Sequence, residues 1–182
     1  MKATAARTVA VAAGVLALCT LTGCPPKGPD MTPLLSVQRS APNEQGASAV
    51  AVHILAVPAQ NAAATSLIGG YSVDEYWKDG AGGQKLISQT NPAVFRVIFN
   101  SEKSGPEFFR ANDLSSQPGH SGAKPQEYEF FVFSKIPGVG LQSNNFDPRK
   151  ARLRLFDWPK QIQSVTVGPA GLTCEPVPNP QR

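Results

Sequence analysis

Hydrophobic and polar residues alternate with a period of two through most of the chain between residues 34 and 167. Segment 48–57 sets Val50, Val52, Ile54, Leu55 and Val57 among small residues, enough branched side chains for a strand buried on both faces or nearly so. In 94–100, Phe95, Val97 and Phe99 share one side and Arg96 takes the other. In 127–134, Tyr128, Phe130 and Val132 fall together while Glu127 and Glu129 turn outward. In 151–156, Leu153 and Leu155 turn inward and Arg152 and Arg154 outward. Segment 162–167 reads as a further short strand and 34–38 as an early one. Short strands divided by Gly, Pro and Asn clusters predict a mainly β fold, an antiparallel β-sandwich.

One segment breaks the alternation. Ser72-Val73-Asp74-Glu75 has the spacing of a capping box, in which the serine accepts from the third amide and the glutamate reaches back. Tyr76 and Trp77 follow before Asp79-Gly80, which predicts one short helix over 72–78, outside the sheets, with an aromatic packed on a sheet edge. The charges also suggest a register. Pairing 127–134 antiparallel to 151–156 with Glu127 opposite Arg154 and Glu129 opposite Arg152 would place Tyr128 opposite Leu153 on the inner face.

The two ends differ from the middle. Residues 1–23 carry Lys2 and Arg7 ahead of an apolar run over 9–20, then Leu21-Thr22-Gly23-Cys24. A charged start, an apolar core too short for a permanent span and small residues before a cysteine form a lipoprotein signal peptide. Cys24 is the expected lipidation site, and multiple acyl chains would hold the mature protein to a membrane. Residues 24–33 are a proline-rich linker, 34–174 the sandwich domain, and 175–182 a proline-rich flexible tail. Lys2 and Arg7 leave with the signal, so the balance of 17 basic to 13 acidic residues becomes nearly even. With no basic cluster interleaved with aromatics, nucleic acid is not an expected partner. Of three cysteines, Cys19 departs and Cys24 becomes a thioether, leaving Cys174 as a lone thiol, read as buried and inert.

Little in the chain suggests catalysis. His53 falls within an apolar strand, where a hydrogen-bonded structural role is expected, and His120 falls in a loop beside Ser121. Two such histidines do not make a metal-ligand cluster, and no nucleophile elbow surrounds Ser121. The Asp74-Glu75 pair is accounted for by helix capping, and Gly80-Ala81-Gly82-Gly83 lacks the lysine a phosphate loop requires. The chain is read as no enzyme, with no metal, no cofactor and no small-molecule substrate.

Residues 41–55, Ala41-Pro42-Asn43-Glu44-Gln45-Gly46-Ala47-Ser48 leading into Ala49-Val50-Ala51-Val52-His53-Ile54-Leu55, resemble the start of the TssJ family of type VI secretion lipoproteins. That family has an Asn-Pro-Asp-like turn and a Gly-Arg pair before a Ser-Pro-Val-Val-Val-Arg-Ile-Tyr strand. Here the glycine, serine and valine spacing is kept, Ala47 stands for the first arginine and His53 for the second. Residues 72–77 are similar in position and character to the family's next segment. The resemblance implies a transthyretin-like sandwich on the inner leaflet of the outer membrane, facing the periplasm. It also implies an anchoring and assembly role in a type VI secretion membrane complex, through binding the periplasmic domain of a TssM-like inner-membrane protein. Contact in the family runs through a loop between early strands, which corresponds here to 58–70, with Leu67, Ile68, Gly69 and Gly70 as the expected partner-binding residues. The alternative is a periplasmic lipoprotein sandwich that binds a small ligand or a cell-wall glycan.

Overall fold

The computed structural model describes residues 33–40, 48–100, 103, 105–142, 146–154 and 163–175. The expected signal peptide, Cys24, the linker 24–33 up to its last residue, residues 41–47 of the resembling segment, and the tail beyond 175 lie outside them. So do Leu155, Phe156 and Ile162 of two expected strands.

Eight strands are present among the described residues: β1 (Pro33–Arg39), β2 (Val50–Pro58), β3 (Ala93–Phe99), β4 (Glu107–Arg110), β5 (Tyr128–Lys135), β6 (Lys150–Arg154), β7 (Gln163–Gly168) and β8 (Gly171–Glu175). They form two four-stranded sheets, ordered β4-β1-β7-β8 and β3-β2-β5-β6. All pairings are antiparallel except β1 with β7, which run parallel over 35–39 and 163–167. The mainly β sandwich read from the alternation is therefore the fold. Between the sheets lies a core that includes Val37, Ile54, Phe99, Phe130, Leu153 and Val165.

Among the described residues four α-helices accompany the sheets, where the sequence suggested one: α1 (Ala62–Gly70), α2 (Val73–Trp77), α3 (Ala81–Thr90) and α4 (Ala111–Ser115). The helix expected at 72–78 is α2, and Ser72 Oγ accepts from the Glu75 amide at 3.1 Å as its cap. Segment 58–70, expected as a loop, is instead a turn followed by α1, capped by Asn61 Oδ1 accepting from the Ala64 amide.

Helices α1, α2 and α3 cover the outer face of the β3-β2-β5-β6 sheet and bury a second core of Leu55, Val57, Ile68, Tyr76, Phe131 and Phe133 among others. Tyr76 stacks on Phe133 with ring centroids 4.3 Å apart. It thus packs on the face of an interior strand, not on a sheet edge. The join between α2 and α3 is tight, since a side chain at Gly82 would overlap the Glu75 carbonyl oxygen. Gly82 and Gly83, the latter close against Tyr76, therefore serve close packing of two helices.

β5 and β6 do pair antiparallel, but in a register two residues away from the expected one. Glu129 faces Arg154, Phe130 faces Leu153 and Phe131 faces Arg152. A two-residue slip keeps every side chain on its own face, so burial cannot select between the two registers. Glu129 gains both arginines in the observed one: Oε2 accepts from Arg152 Nε at 2.7 Å, and Oε1 lies 3.1 Å from Arg154 Nε. Glu129 is buried beside the helical layer, not outward in water, and Glu127 lies before the strand with Lys124 as its ion-pair partner.

Candidate functional site: a groove beside the first helix

Two polar anchors fix the second core. Lys150, at the start of β6, sends its ammonium to the end of α1 and donates to the carbonyl oxygens of Ile68, Gly69 and Tyr71 at 2.9, 2.8 and 2.7 Å. Carbonyls at a helix C-terminus have no intrahelical partner and carry partial negative charge, so a cation there satisfies both needs. Burial lowers the Lys150 pKa to about 8. The second anchor is Arg149, buried, which grips Asp147 with Nε and Nη2 at 2.9 and 2.8 Å and reaches Asp74 of α2 with Nη1 at 2.7 Å. Together they tie the β5–β6 connection to α1 and α2.

Between α1 and that connection opens a groove of about 720 Å3. Its lining includes Gly69, Gly70, Tyr71, Phe131, Leu141 and Arg152. Leu141 is 59% exposed and Phe146 53%. Arg152 lies over the Phe131 ring at 5.5 Å.

The four residues expected to bind a partner are thus divided. Gly69 and Gly70 line the groove, Leu67 projects from α1 with 42% of its surface exposed, and Ile68 is fully buried in the second core. Ile68 holds α1 onto the sheet. Leu141 and Phe146 were missed because 135–150 reads only as a connection. Two isolated apolar residues among Gly, Gln and Asn carry no periodicity to mark them.

The histidines have structural surroundings. His53 Nδ1 and the Tyr76 hydroxyl are hydrogen-bonded at 2.8 Å, with the Trp77 ring 4.6 Å from the imidazole. Burial, and secondarily the charge of Arg96, lowers the His53 pKa to about 4. The ring is then neutral in the folded chain at pH values where the unfolded chain takes up a proton. Stability should be full above about pH 6.5, the ordinary histidine value, and fall as pH drops toward 4. Proton NMR titration of the His53 ring checks this, and a midpoint at the ordinary value would contradict it. His120 is buried in its loop and pairs with the Tyr128 hydroxyl at 3.0 Å. Cys174, expected buried, is half-buried at the edge of the first core, and burial raises its pKa to about 11. Among the described residues no group of three His, Cys, Asp or Glu side chains could hold a metal ion, and no helix is long and apolar enough to cross a membrane.

No known protein family and no curated protein matches the chain. Solved structures similar to it in fold include two from type VI secretion. One, described as a type VI membrane complex, has a TM-score of 0.48 and 16% identity, over 78% of this chain and 95% of that one. The other, described as Serratia marcescens Lip, a membrane-bound component of the type VI secretion system, has a TM-score of 0.45 and 8% identity, over 80% of this chain and 100% of that one.

Proposed function

We propose that this chain is a non-catalytic lipoprotein, anchored in the outer membrane through Cys24, whose sandwich faces the periplasm. In this reading it helps assemble a type VI secretion membrane complex by binding the periplasmic domain of a TssM-like inner-membrane protein. The observation that carries the reading is the groove at the end of α1, lined in part by segment 58–70, which the resemblance sets in the place of the family's contact loop. Support comes also from the lipoprotein signal and from the resemblance of residues 41–55. The small-ligand alternative fits the groove less well. A ligand site needs convergent polar groups, and here Lys150 and Asp147 are taken up by the α1 carbonyls and by Arg149.

Calorimetry of the full chain in detergent against a TssM-like periplasmic domain from the same genome tests the reading. Binding by the wild type is expected, and its absence would refute the assignment. Deleting 67–70 would also remove buried Ile68, so Leu67→Asp is the better probe of that surface. The anchor is tested separately. Cys24→Ser should move the protein from the membrane fraction to the soluble one, and a variant that stays with the membrane would disprove lipid anchoring at that residue.

A further inference from the structure

Resting on that reading for the choice of partner, we infer that the free edge of β3 takes up an extended segment of the partner polypeptide as an added strand, with an acidic side chain beside Arg96 and an apolar one beside Ile98. Among the described residues β3 ends its sheet, with β2 as its one neighbouring strand. One side of its backbone therefore offers alternate N–H and C=O groups to which another strand can bond. The surface is separate from the groove beside α1, whose lining includes no residue of β3.

The edges of the two sheets are not equally open. Over the described residues β3 has seven residues, against four in β4 and five each in β6 and β8. It pairs with β2 in one unbroken register from Ala93 to Phe99 and contains neither proline nor glycine. By contrast, β6 carries Lys150, Arg152 and Arg154 at alternate positions, and β8 opens on Gly171. Shortness, repeated charge and breaks of this kind keep an edge from pairing, and β3 has only the single charge of Arg96.

The side chains indicate what the added strand carries. Phe95, Val97 and Phe99 are buried in the core between the sheets, while Arg96 and Ile98 are exposed on the outer face. The helical layer reaches Val94, which packs against the second core, but leaves Ile98 59% exposed with only the small Ala51 opposite it on β2. Arg96 has no ion-pair partner among the described residues. The two cross-strand rows that contain Arg96 and Ile98 also hold His53, Lys135 and Lys150, and no carboxylate. An acidic side chain beside Arg96 is therefore attracted and a basic one repelled, and an apolar side chain two residues along the same strand falls beside Ile98. A second copy of β3 suits the edge less well. Registers that pair most of the strand with itself set Arg96 opposite or diagonal to the same residue of the other copy, like charge against like.

The test uses the full chain in detergent with two kinds of probe. One is the TssM-like periplasmic domain. The other is a peptide of alternating glutamate and valine, with its lysine and valine counterpart. Binding is measured by calorimetry for the wild type, Arg96→Glu and Ile98→Thr, with thermal midpoints recorded to confirm that each variant folds. Residues 96 and 98 are exposed, so the midpoints should stay close to wild type. Amide hydrogen exchange over 93–99 reads strand addition directly, because outward N–H groups that exchange in the free chain become protected in a new ladder. The wild type should bind the acidic peptide and not the basic one, and both the domain and the acidic peptide should protect 93–99. Arg96→Glu should weaken both about fivefold or more and admit the basic peptide, and Ile98→Thr should weaken them about twofold to threefold. If the domain binds all three proteins equally without protecting 93–99, the inference is overturned while the assembly role stands. If only the acidic peptide binds, with the expected protection and variant pattern, the edge chemistry stands and the TssM-like partner is wrong. A wild type that is dimeric with 93–99 already protected would give the edge to a second copy and overturn the inference. If neither probe binds, both the inference and the assembly reading are refuted.

Discussion

Phe133→Ala is expected to lower the free energy of unfolding by about 3–5 kcal/mol, the range for removing a fully buried phenylalanine and leaving a cavity. Phe133 has no exposed surface, its ring stacks on Tyr76, and the Lys150 ammonium lies 5.1 Å from its centroid. It therefore joins β5 to α2 and to the lysine that holds the end of α1. Because a domain of this size has only about 5–15 kcal/mol in total, the variant should be at the margin of folding at 37 °C. The helical signal in far-UV circular dichroism should be lost at lower urea than in wild type. Phe133→Leu, which keeps most of the volume, should cost far less. Equal stability of Phe133→Ala and wild type would mean that the helical layer is not held through this ring.

Arg149→Ala is expected to cost a similar amount, about 3–5 kcal/mol, for an electrostatic reason. The side chain of Arg149 is 9% exposed and that of Asp147 13%, so truncation leaves a nearly buried carboxylate without its bidentate partner. The Asp74 arm contributes little, because that carboxylate is 74% exposed and a solvated ion pair is worth about 0–1 kcal/mol. Asp74→Asn should therefore be mild. The double variant Arg149→Met with Asp147→Leu, which removes both charges, should recover much of the loss. Burial alone would push the Asp147 carboxyl up, but the hydrogen bonds and charge of Arg149 outweigh it and hold the pKa below the usual 3.8. The stability from this pair is thus present above about pH 4 and lost as pH falls through the lowered value. Urea unfolding across that acidic range should show a steeper loss in wild type than in the double variant.

These two residues also mark where the sequence was readable and where it was not. The strands at 93–99 and 128–135 were legible because alternation is the direct signature of a sheet facing a core, and the strand at 50–58 because its run of branched residues suits burial on both faces. Phe131 and Phe133 share the face of Glu129, and that polar residue hid their burial. A strand covered on both sides has no consistently polar face, and its second cover lies elsewhere in the chain. That cover was itself hard to see. α1 reads Ala-Ala-Ala-Thr-Ser-Leu-Ile-Gly-Gly and buries only Ala64, Thr65 and Ile68, too few for a helical period to emerge, and α3 has two glycines, Gly82 and Gly83, in its first turn. The cap at Ser72, by contrast, is a local hydrogen bond between residues three apart and needs no tertiary information. The β5–β6 register failed because pairing charges one-to-one was the wrong rule. One buried carboxylate collects two guanidiniums, which sequence alone does not distinguish from two separate pairs. For the groove, Gly69 and Gly70 were found through the resemblance of the segment, whereas Leu141 and Phe146 required the connection's path in space.

The position of β1 has a mechanical consequence. It is an interior strand, bonded to β4 on one side over Pro33–Val37 and to β7 on the other over Leu35–Arg39. A force applied at Pro33 along the β1 axis would reach both neighbours of the strand together. Both ladders then bear the load in shear, many hydrogen bonds resisting at once, whereas an edge strand pulled sideways would open one bond at a time. Like the other interior strands β2, β5 and β7, β1 cannot peel from an open edge, so a load at Pro33 meets two ladders at once.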